Sequence, residues 1–177
     1  MELGLRGNEV KIVPYTKEWR QEFLRVKKEI HQHTNLEENQ IEHIGSTAIE
    51  GMQAKPIIDI LVGVDDLTGL DSSIAKGLKA IGFYRLRVDR PGEIVFAKFS
   101  DDTYQEKTHF IHLVEYGEDL WGNLLFFRDY LIADEKEREE YTNLKLDYLK
   151  KSSTGINEYT DHKEDFVRSI FKKRVTT

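Results

Sequence analysis

Apolar residues recur at helical spacing near the start of the chain. Four of them follow at intervals of four, three and four residues: Trp19, Phe23, Val26 and Ile30. This spacing places the four side chains on one face of a helix. Thr16 precedes them as a candidate N-cap, since its hydroxyl can accept a hydrogen bond from the first turn. The pattern predicts an amphipathic helix from Thr16 to about His33.

The middle of the chain favours strands. Residues 57–64 are rich in β-branched side chains and almost wholly apolar, which is typical of a central strand covered on both faces. A short extended piece is predicted at 10–13, and shorter strands are predicted at 40–44, 83–88, 93–99 and 108–115. The pair 83–88 and 93–99 is predicted to form a hairpin around Arg90-Pro91-Gly92. Asp71 or Ser72 is predicted to cap a helix that runs through Ile81 and closes at Gly82.

The last third of the chain is predicted to be helical. Apolar positions form successive stripes: Leu120, Leu124, Phe127 and Leu131, then Tyr141, Leu144 and Tyr148, then Phe166, Val167, Ile170 and Phe171. Strands followed by helices favour an α+β fold, close to α/β, with a mixed sheet flanked by helices. At 177 residues the chain is expected to form a single domain. Its sheet core is predicted at about 8–116 and its helical part at about 117–175.

Composition narrows the classes of protein to which the chain can belong. The absence of cysteine excludes disulfides and thiolate metal sites. No apolar run approaches the length of a membrane span, and the first residues lack the pattern of a signal peptide, so we expect a cytoplasmic protein with no membrane partner. A net charge of −6 argues against broad nonspecific binding to nucleic acid. A local basic site remains compatible with that charge.

The dipeptide Gly45-Ser46 is the first candidate for chemistry. A strand followed by Gly-Ser and the start of a helix can present backbone N–H groups and a hydroxyl to a phosphate. Glycine at this point also permits close approach of the backbone. The alternative is an ordinary turn from strand to helix, in which Ser46 or Thr47 acts as the helix cap.

A single aspartate interrupts the apolar run of residues 57–64. Strand alternation puts Asp59 on one face with Ile57 and Leu61, and the intervening isoleucines on the other. A carboxylate in such a setting is costly to bury unless it is paired, hydrogen-bonded or bound to a metal. Asp59 is therefore either part of a cleft or a structural residue paired with Lys55, Arg128 or a backbone N–H.

Several other charged residues have two interpretations each. His109 and His112 lie three apart on a predicted strand and so face opposite sides, which argues against a two-histidine metal pair. One of them can reach a cleft, although a strand histidine is more often a packing residue. Lys55 is either a phosphate ligand or a solvated surface lysine. Arg128 and Asp129 are interpreted as an ion pair that anchors a helix to the sheet.

Longer stretches of the chain resemble a known family. "EHIGSTAIEGMQAKPIIDILV" is similar to the signature of the GrpB family, a domain also found fused to some bacterial dephospho-CoA kinases. "VPYTKEWRQEF" resembles the N-terminal segment of that family, and "THFIHLVE" resembles its histidine-containing strand. "LLFFRDYLIAD", "EYTNLKLDYLK" and "YTDHKEDFV" resemble its C-terminal helices. The resemblance extends from about Val10 to Val167.

The GrpB family is placed in the nucleotidyltransferase superfamily, which has a DNA polymerase beta-like fold. The resemblance implies that Gly45-Ser46 is the turn that holds the phosphates of a nucleoside triphosphate, and we expect Thr47 and Lys55 to belong to the same binding site. It implies that Asp59 is the first acid of a pair that binds Mg²⁺. Such metal ions neutralise the triphosphate and activate an attacking hydroxyl.

The sequence departs from the superfamily at the second acid. Leu61 occupies that position. Asp65 and Asp66 lie beyond the strand end, and the nearest acid on the histidine-containing strand is Glu115. Two alternatives follow: a single-metal site in which Asp59 works with His112, or a site that binds nucleotide without transferring it.

Three functional hypotheses result. The first is Mg²⁺-dependent nucleotidyl transfer to an acceptor that the sequence does not identify, with Asp59 and His112 as catalytic residues. The second is a noncatalytic module that binds a nucleotide, a CoA-like molecule or a protein, since one fold hosts many functions. The third is a purely structural role for the segment from His43 to Val62, in which Asp59 pairs with Arg128 or Lys55 and is shielded from solvent.

Overall fold

The computed structural model describes residues 1–7, 9–151 and 156–174. The described strands are β1 (Leu5–Arg6), β2 (Ile41–Ile44), β3 (Ile58–Val64), β4 (Phe83–Arg85), β5 (Ile94–Phe99) and β6 (Glu106–Glu115). The described α-helices are α1 (Glu18–His33), α2 (Ser72–Ala80), α3 (Asp119–Ala133), α4 (Glu135–Lys151) and α5 (Ile156–Arg174). The predicted limits at residues 8 and 175 lie outside the described residues.

The described strands form one mixed sheet. Its order is β2-β3-β6-β5-β4, and β1 pairs with the start of β6. The central strands β3 and β6 are parallel, while the other pairs are antiparallel. Asp59 lies opposite Phe110 and Leu61 lies opposite His112 in the register of the two central strands. The predicted α+β class, with a mixed sheet and a helical last third, is confirmed.

One face of the sheet packs on α1 and α2. The predicted stripe of α1 is buried and contacts the isoleucines of β3 that alternate with Asp59, namely Ile58 and Ile60. The side chains of Ile58 and Ile60 have no exposed surface. Burial of this apolar area, worth about 25 cal/mol per Å², holds β3 flat against α1. The side chain of Asp59 therefore projects toward the opposite face.

The opposite face of the sheet is covered by the C-terminal helices. Leu61 packs there against Ile44, Val114 and Trp121 of α3. A second apolar cluster joins α3, α4 and α5 to the segment after Ala48: Ile49, Met52, Phe127, Leu131, Tyr141 and Ile170. The helices are thus fixed over the face that carries Asp59. No helix within the described part of the chain has the length and apolar character needed to cross a bilayer.

Within the extended piece predicted at 10–13, Val13 pairs with Ala54 in an isolated bridge, and Pro14 has no N–H with which to continue the pairing. Two local predictions were wrong in detail. The first hairpin strand ends at Arg85 rather than at residue 88. The N-cap of α1 is Lys17, while the Thr16 hydroxyl accepts a hydrogen bond from the Glu18 N–H. The predicted cap at Asp71 is confirmed by its bond from the Ser73 N–H.

Candidate functional site

The Gly45-Ser46 turn lies between β2 and a single 3₁₀ turn, Ser46–Ala48. Gly45 has a φ of 70°, a conformation that glycine adopts without strain. A Cβ at this position would lie 2.6 Å from Oδ2 of Asp59. Glycine therefore lets the turn and the carboxylate approach each other closely. The helix that was expected to begin after Gly45-Ser46 is only the single 3₁₀ turn Ser46–Ala48.

Asp59 lies on β3 opposite Ile44 of β2, and its side chain is 32% exposed to a cavity. The predicted alternation along β3 is confirmed. Arg128 is not its partner, because that guanidinium bonds Glu42 and Asp129. The ion pair predicted between Arg128 and Asp129 is therefore confirmed, and it leaves Asp59 facing the cavity.

His112 lies between two carboxylates. Its Nε2 is 3.4 Å from Oδ1 of Asp59, and its Nδ1 is 3.0 Å from Oε2 of Glu93. Burial opposes protonation, but the hydrogen bonds and charges of Asp59 and Glu93 outweigh it and raise the pKa of His112 to about 9. The same bonds hold the pKa of both carboxyls below their usual values despite burial. The trio forms a carboxylate–imidazolium–carboxylate chain at the cavity wall.

Sequence reasoning missed Glu93. It lies two residues before Val95, which pairs directly with His112. Residues two apart on an extended segment share a face, so the predicted hairpin already contained the signal. His109 points to the other face, as predicted, and its Nε2 lies 3.0 Å from Oε1 of Glu22 on α1. His109 therefore takes no part in the cavity.

The chain centred on His112 makes stability depend on pH. Because the folded-state pKa exceeds the ordinary value of 6.5, the stabilisation is complete below pH 6.5 and is lost as pH rises through about 9. We expect the free energy of unfolding to fall by roughly 3 kcal/mol across this window. Urea denaturation of the wild type and of His112→Gln measures this difference. The exposed His33→Gln variant should retain the pH dependence, and a flat wild-type profile would contradict the arrangement.

Two lysines face the cavity from different elements. Lys55 precedes β3 and Lys163 lies on α5, and both line the cavity with Ser46. Their Nζ atoms lie 5.0 and 4.3 Å from the ring centre of Tyr159. Burial, and then the charge of Lys55, lowers the pKa of Lys163 to about 7. Burial likewise lowers the pKa of Lys55. This part of the cavity therefore favours an anion, which would restore both charged forms.

A third lysine lies directly behind Ser46. The Lys145 Nζ donates to Ser46 Oγ over 3.0 Å and to the Gln53 carbonyl over 2.7 Å, and the residue is 1% exposed. Burial, and then the charge of Lys55, lowers the pKa of Lys145 to about 7. Sequence reasoning missed this residue as well. The signal was its spacing of four from Tyr141, which places a lysine within a predicted apolar stripe.

The cavity has a volume of about 450 Å³ and lies between the Asp59 face of the sheet and the C-terminal helices. This size is within the range of small-molecule and cofactor sites. Its remaining wall is largely apolar and includes Leu86, Val88, Val95 and Phe110. Thr47 also lines it, but its hydroxyl is hydrogen-bonded to Nε2 of His43 at 3.0 Å. The cavity is thus lined by both charged and apolar side chains, which suits a ligand that carries both kinds of group.

Comparisons with known proteins agree with the resemblance described above. The family model described as GrpB protein matches residues 9–173. A glutamate-rich protein GrpB of Alkalihalophilus pseudofirmus is 39% identical over 172 residues, covering 97% of this chain and 99% of that protein. The crystal structure of the conserved protein GrpB from Enterococcus faecalis superposes with a TM-score of 0.77 and 26% identity. That superposition covers 92% of this chain and 96% of the other.

Two more distant matches are to proteins that are not named GrpB. A dephospho-CoA kinase of Mycolicibacterium paratuberculosis is 25% identical over 186 residues, which cover 93% of this chain and 46% of that protein. A structure of the Cid1 poly(U) polymerase with MgGTP bound superposes with a TM-score of 0.48 and 13% identity. It covers 74% of this chain and 42% of that one.

Proposed function

This chain belongs to the GrpB family, and from the cavity that its fold builds we propose that it binds a nucleoside triphosphate. The phosphates lie against Lys55, Lys163 and the hydroxyl of Ser46. The base and sugar lie along the apolar wall that includes Phe110. Gly45 and Thr47 shape the turn that faces the phosphates.

One observation carries the proposal: two half-buried lysines face the same cavity, and neither has an ion-pair partner among the residues that the structure describes. Burial of an ammonium group without a counter-charge is costly. The negative charge of Asp59 attracts both ammonium groups without a direct contact. One negative charge does not balance two positive charges. A bound triphosphate supplies the missing negative charge.

Asp59 is the residue that would hold Mg²⁺ with the nucleotide. Mg²⁺ is usually bound through one or two carboxylates together with substrate phosphates and water, so a single carboxylate in the cavity fits a metal that arrives with the triphosphate. Within residues 1–7, 9–151 and 156–174 no group of three or more histidines and acids is placed to hold a metal by itself. When bound, Mg²⁺ supplies neutralisation of the phosphate charge.

A second candidate function is nucleotidyl transfer to a hydroxyl acceptor. The observation that favours it is the close approach of Asp59 to the Gly45 turn, where a Cβ added to the glycine would meet Oδ2 at 2.6 Å. The carboxylate therefore lies beside the site proposed for the phosphates. His112 would then orient Asp59 through its hydrogen bond. The apolar packing of Leu61 argues for the binding function as the primary one, since it removes the second acid.

Isothermal titration calorimetry tests the proposal. We expect heat of binding with at least one of ATP, GTP, CTP and UTP, and weaker binding in Asp59→Ala in the presence of Mg²⁺. Asp102→Ala, which removes an exposed loop carboxylate, should bind as the wild type does. Dephospho-CoA belongs in the same series, because it carries the same kind of phosphate groups. No heat with any of these ligands would refute the binding proposal.

Transfer is tested separately with radiolabelled nucleotide. Incorporation of label into an added hydroxyl acceptor, lost in Asp59→Asn, would establish the second candidate. Binding without incorporation leaves the chain as a noncatalytic nucleotide-binding module.

A further inference from the structure

Ser46 and Lys145 form a pair that phosphate binding alone does not require. Ser46 lines the cavity, whereas Lys145 lies behind it with 1% of its surface exposed. The Nζ–Oγ distance is 3.0 Å, and the Gln53 carbonyl fixes Nζ from a second direction at 2.7 Å. The hydroxyl therefore faces any ligand in the cavity, and the amine reaches the ligand only through that hydroxyl.

The surroundings of Lys145 favour its neutral form. Its Nζ lies 4.9 Å from the ring centre of Tyr141, and Lys55 and Lys163 add positive charge nearby. Asp59 is the nearby acid, and it bonds His112 rather than Lys145. A buried amine with cationic neighbours loses its proton more readily, in agreement with its pKa of about 7. A neutral amine can accept the proton of the hydroxyl that it contacts.

A hydroxyl hydrogen-bonded to such an amine is an activated nucleophile, as in enzymes that use a serine–lysine pair. The geometry thus places a nucleophile and its base within hydrogen-bond distance at one oxygen atom.

We propose that Ser46 is a nucleophile with Lys145 as its general base, and that the cleft transfers a phosphoryl group from a bound nucleoside triphosphate to Ser46. The proton of Ser46 moves from Oγ to the neutral Lys145 Nζ. A bond forms between Oγ and the γ-phosphorus, and the bond from that phosphorus to the β,γ-bridging oxygen breaks. The nucleoside diphosphate leaves with the electron pair, beside Lys55 and Lys163. This inference rests on the proposed function for the position of the phosphates.

Two reagents test the pair. The first is ATP with Mg²⁺, which should add one phosphoryl group to Ser46, detected by intact mass and peptide mapping. The second is a fluorophosphonate, which labels an activated serine with loss of fluoride and needs no nucleotide site. Ser46→Ala should lose both modifications. Lys145→Met should slow both by at least 100-fold, the order expected for loss of a general base.

Two further variants separate activation from folding. Lys145→Arg keeps a positive charge and the hydrogen bonds but cannot act as a base, so it should bind ATP and remain unmodified. Lys150→Met, which removes an exposed lysine of the same helix, should react as the wild type does.

The outcomes distinguish this inference from the proposed function. ATP binding without modification of Ser46 by either reagent overturns the inference and leaves the binding proposal intact. Fluorophosphonate labelling that depends on Lys145, without ATP binding, supports the nucleophile and overturns nucleotide binding. Labelling of Ser46 that Lys145→Met does not slow overturns the role of the lysine. Labelling by fluorophosphonate with ATP bound but no phosphoryl transfer overturns the phosphoryl step.

Discussion

The double variant Lys55→Met, Lys163→Met is expected to bind nucleoside triphosphates at least about 100-fold more weakly than the wild type. Each lysine supplies a charge-assisted hydrogen bond to phosphate, worth about 1.5–3 kcal/mol when desolvated. Both side chains line the cavity and contact the ring of Tyr159, so their loss removes the positive end of the site. Calorimetric titration with the best nucleotide measures the change.

A matched double variant controls for net charge. Lys76→Met, Lys79→Met removes two exposed lysines from α2, on the other face of the sheet, and should bind nucleotide within about twofold of the wild type. The cleft variant should also unfold at the same temperature or higher, because it removes two half-buried charges that have no ion-pair partner among the described residues. If the two double variants bound nucleotide with equal affinity, the phosphates would not lie against Lys55 and Lys163.

Leu61→Asp is expected to destabilise the protein by about 4 kcal/mol or more, instead of restoring a metal site. Leu61 has no exposed surface and packs against Ile44, Val114 and Trp121. A carboxylate at this fully buried position loses its hydration among apolar side chains, and such burial is among the few changes that cost this much. Urea denaturation monitored by tryptophan fluorescence measures the loss.

Two substitutions show whether charge or lost packing is responsible. Leu61→Ala should cost about 2–5 kcal/mol through the cavity that it leaves, and Leu24→Asp, at an exposed position of α1, should change stability by less than about 0.5 kcal/mol. If Leu61→Asp retained wild-type stability and gained affinity for Mg²⁺, Leu61 would face the cavity beside Asp59 and not α3.

Local periodicity predicted the half of the site that lies on the sheet. The alternation of residues along β3 placed Asp59 opposite the core isoleucines, and the interval of three along β6 separated His109 from His112. These predictions succeed because the side-chain period of a strand is fixed by backbone geometry. The same regularity also placed Leu61 beside Asp59, on the face covered by α3.

The other half of the site depends on contacts that no local pattern encodes. Lys145 reaches Ser46 across 99 residues of sequence, and Lys163 reaches the cavity from the last helix. Their positions follow from how α4 and α5 pack on the sheet, and this packing is set by apolar clusters spread over three helices. A lysine inside an apolar stripe indicates only that its amine has a polar partner in the folded protein, and it does not identify that partner.

The ion pairs of Arg128 also protect the sheet from pairing with other chains. β2 is an edge strand, and an uncovered edge offers free backbone groups on which a second molecule can add a strand. Arg128 Nη1 donates to the His43 carbonyl over 3.0 Å and to Glu42 Oε2 over 2.7 Å. Arg128 thus occupies one backbone acceptor of β2, which leaves fewer free groups on which a second molecule could add a strand.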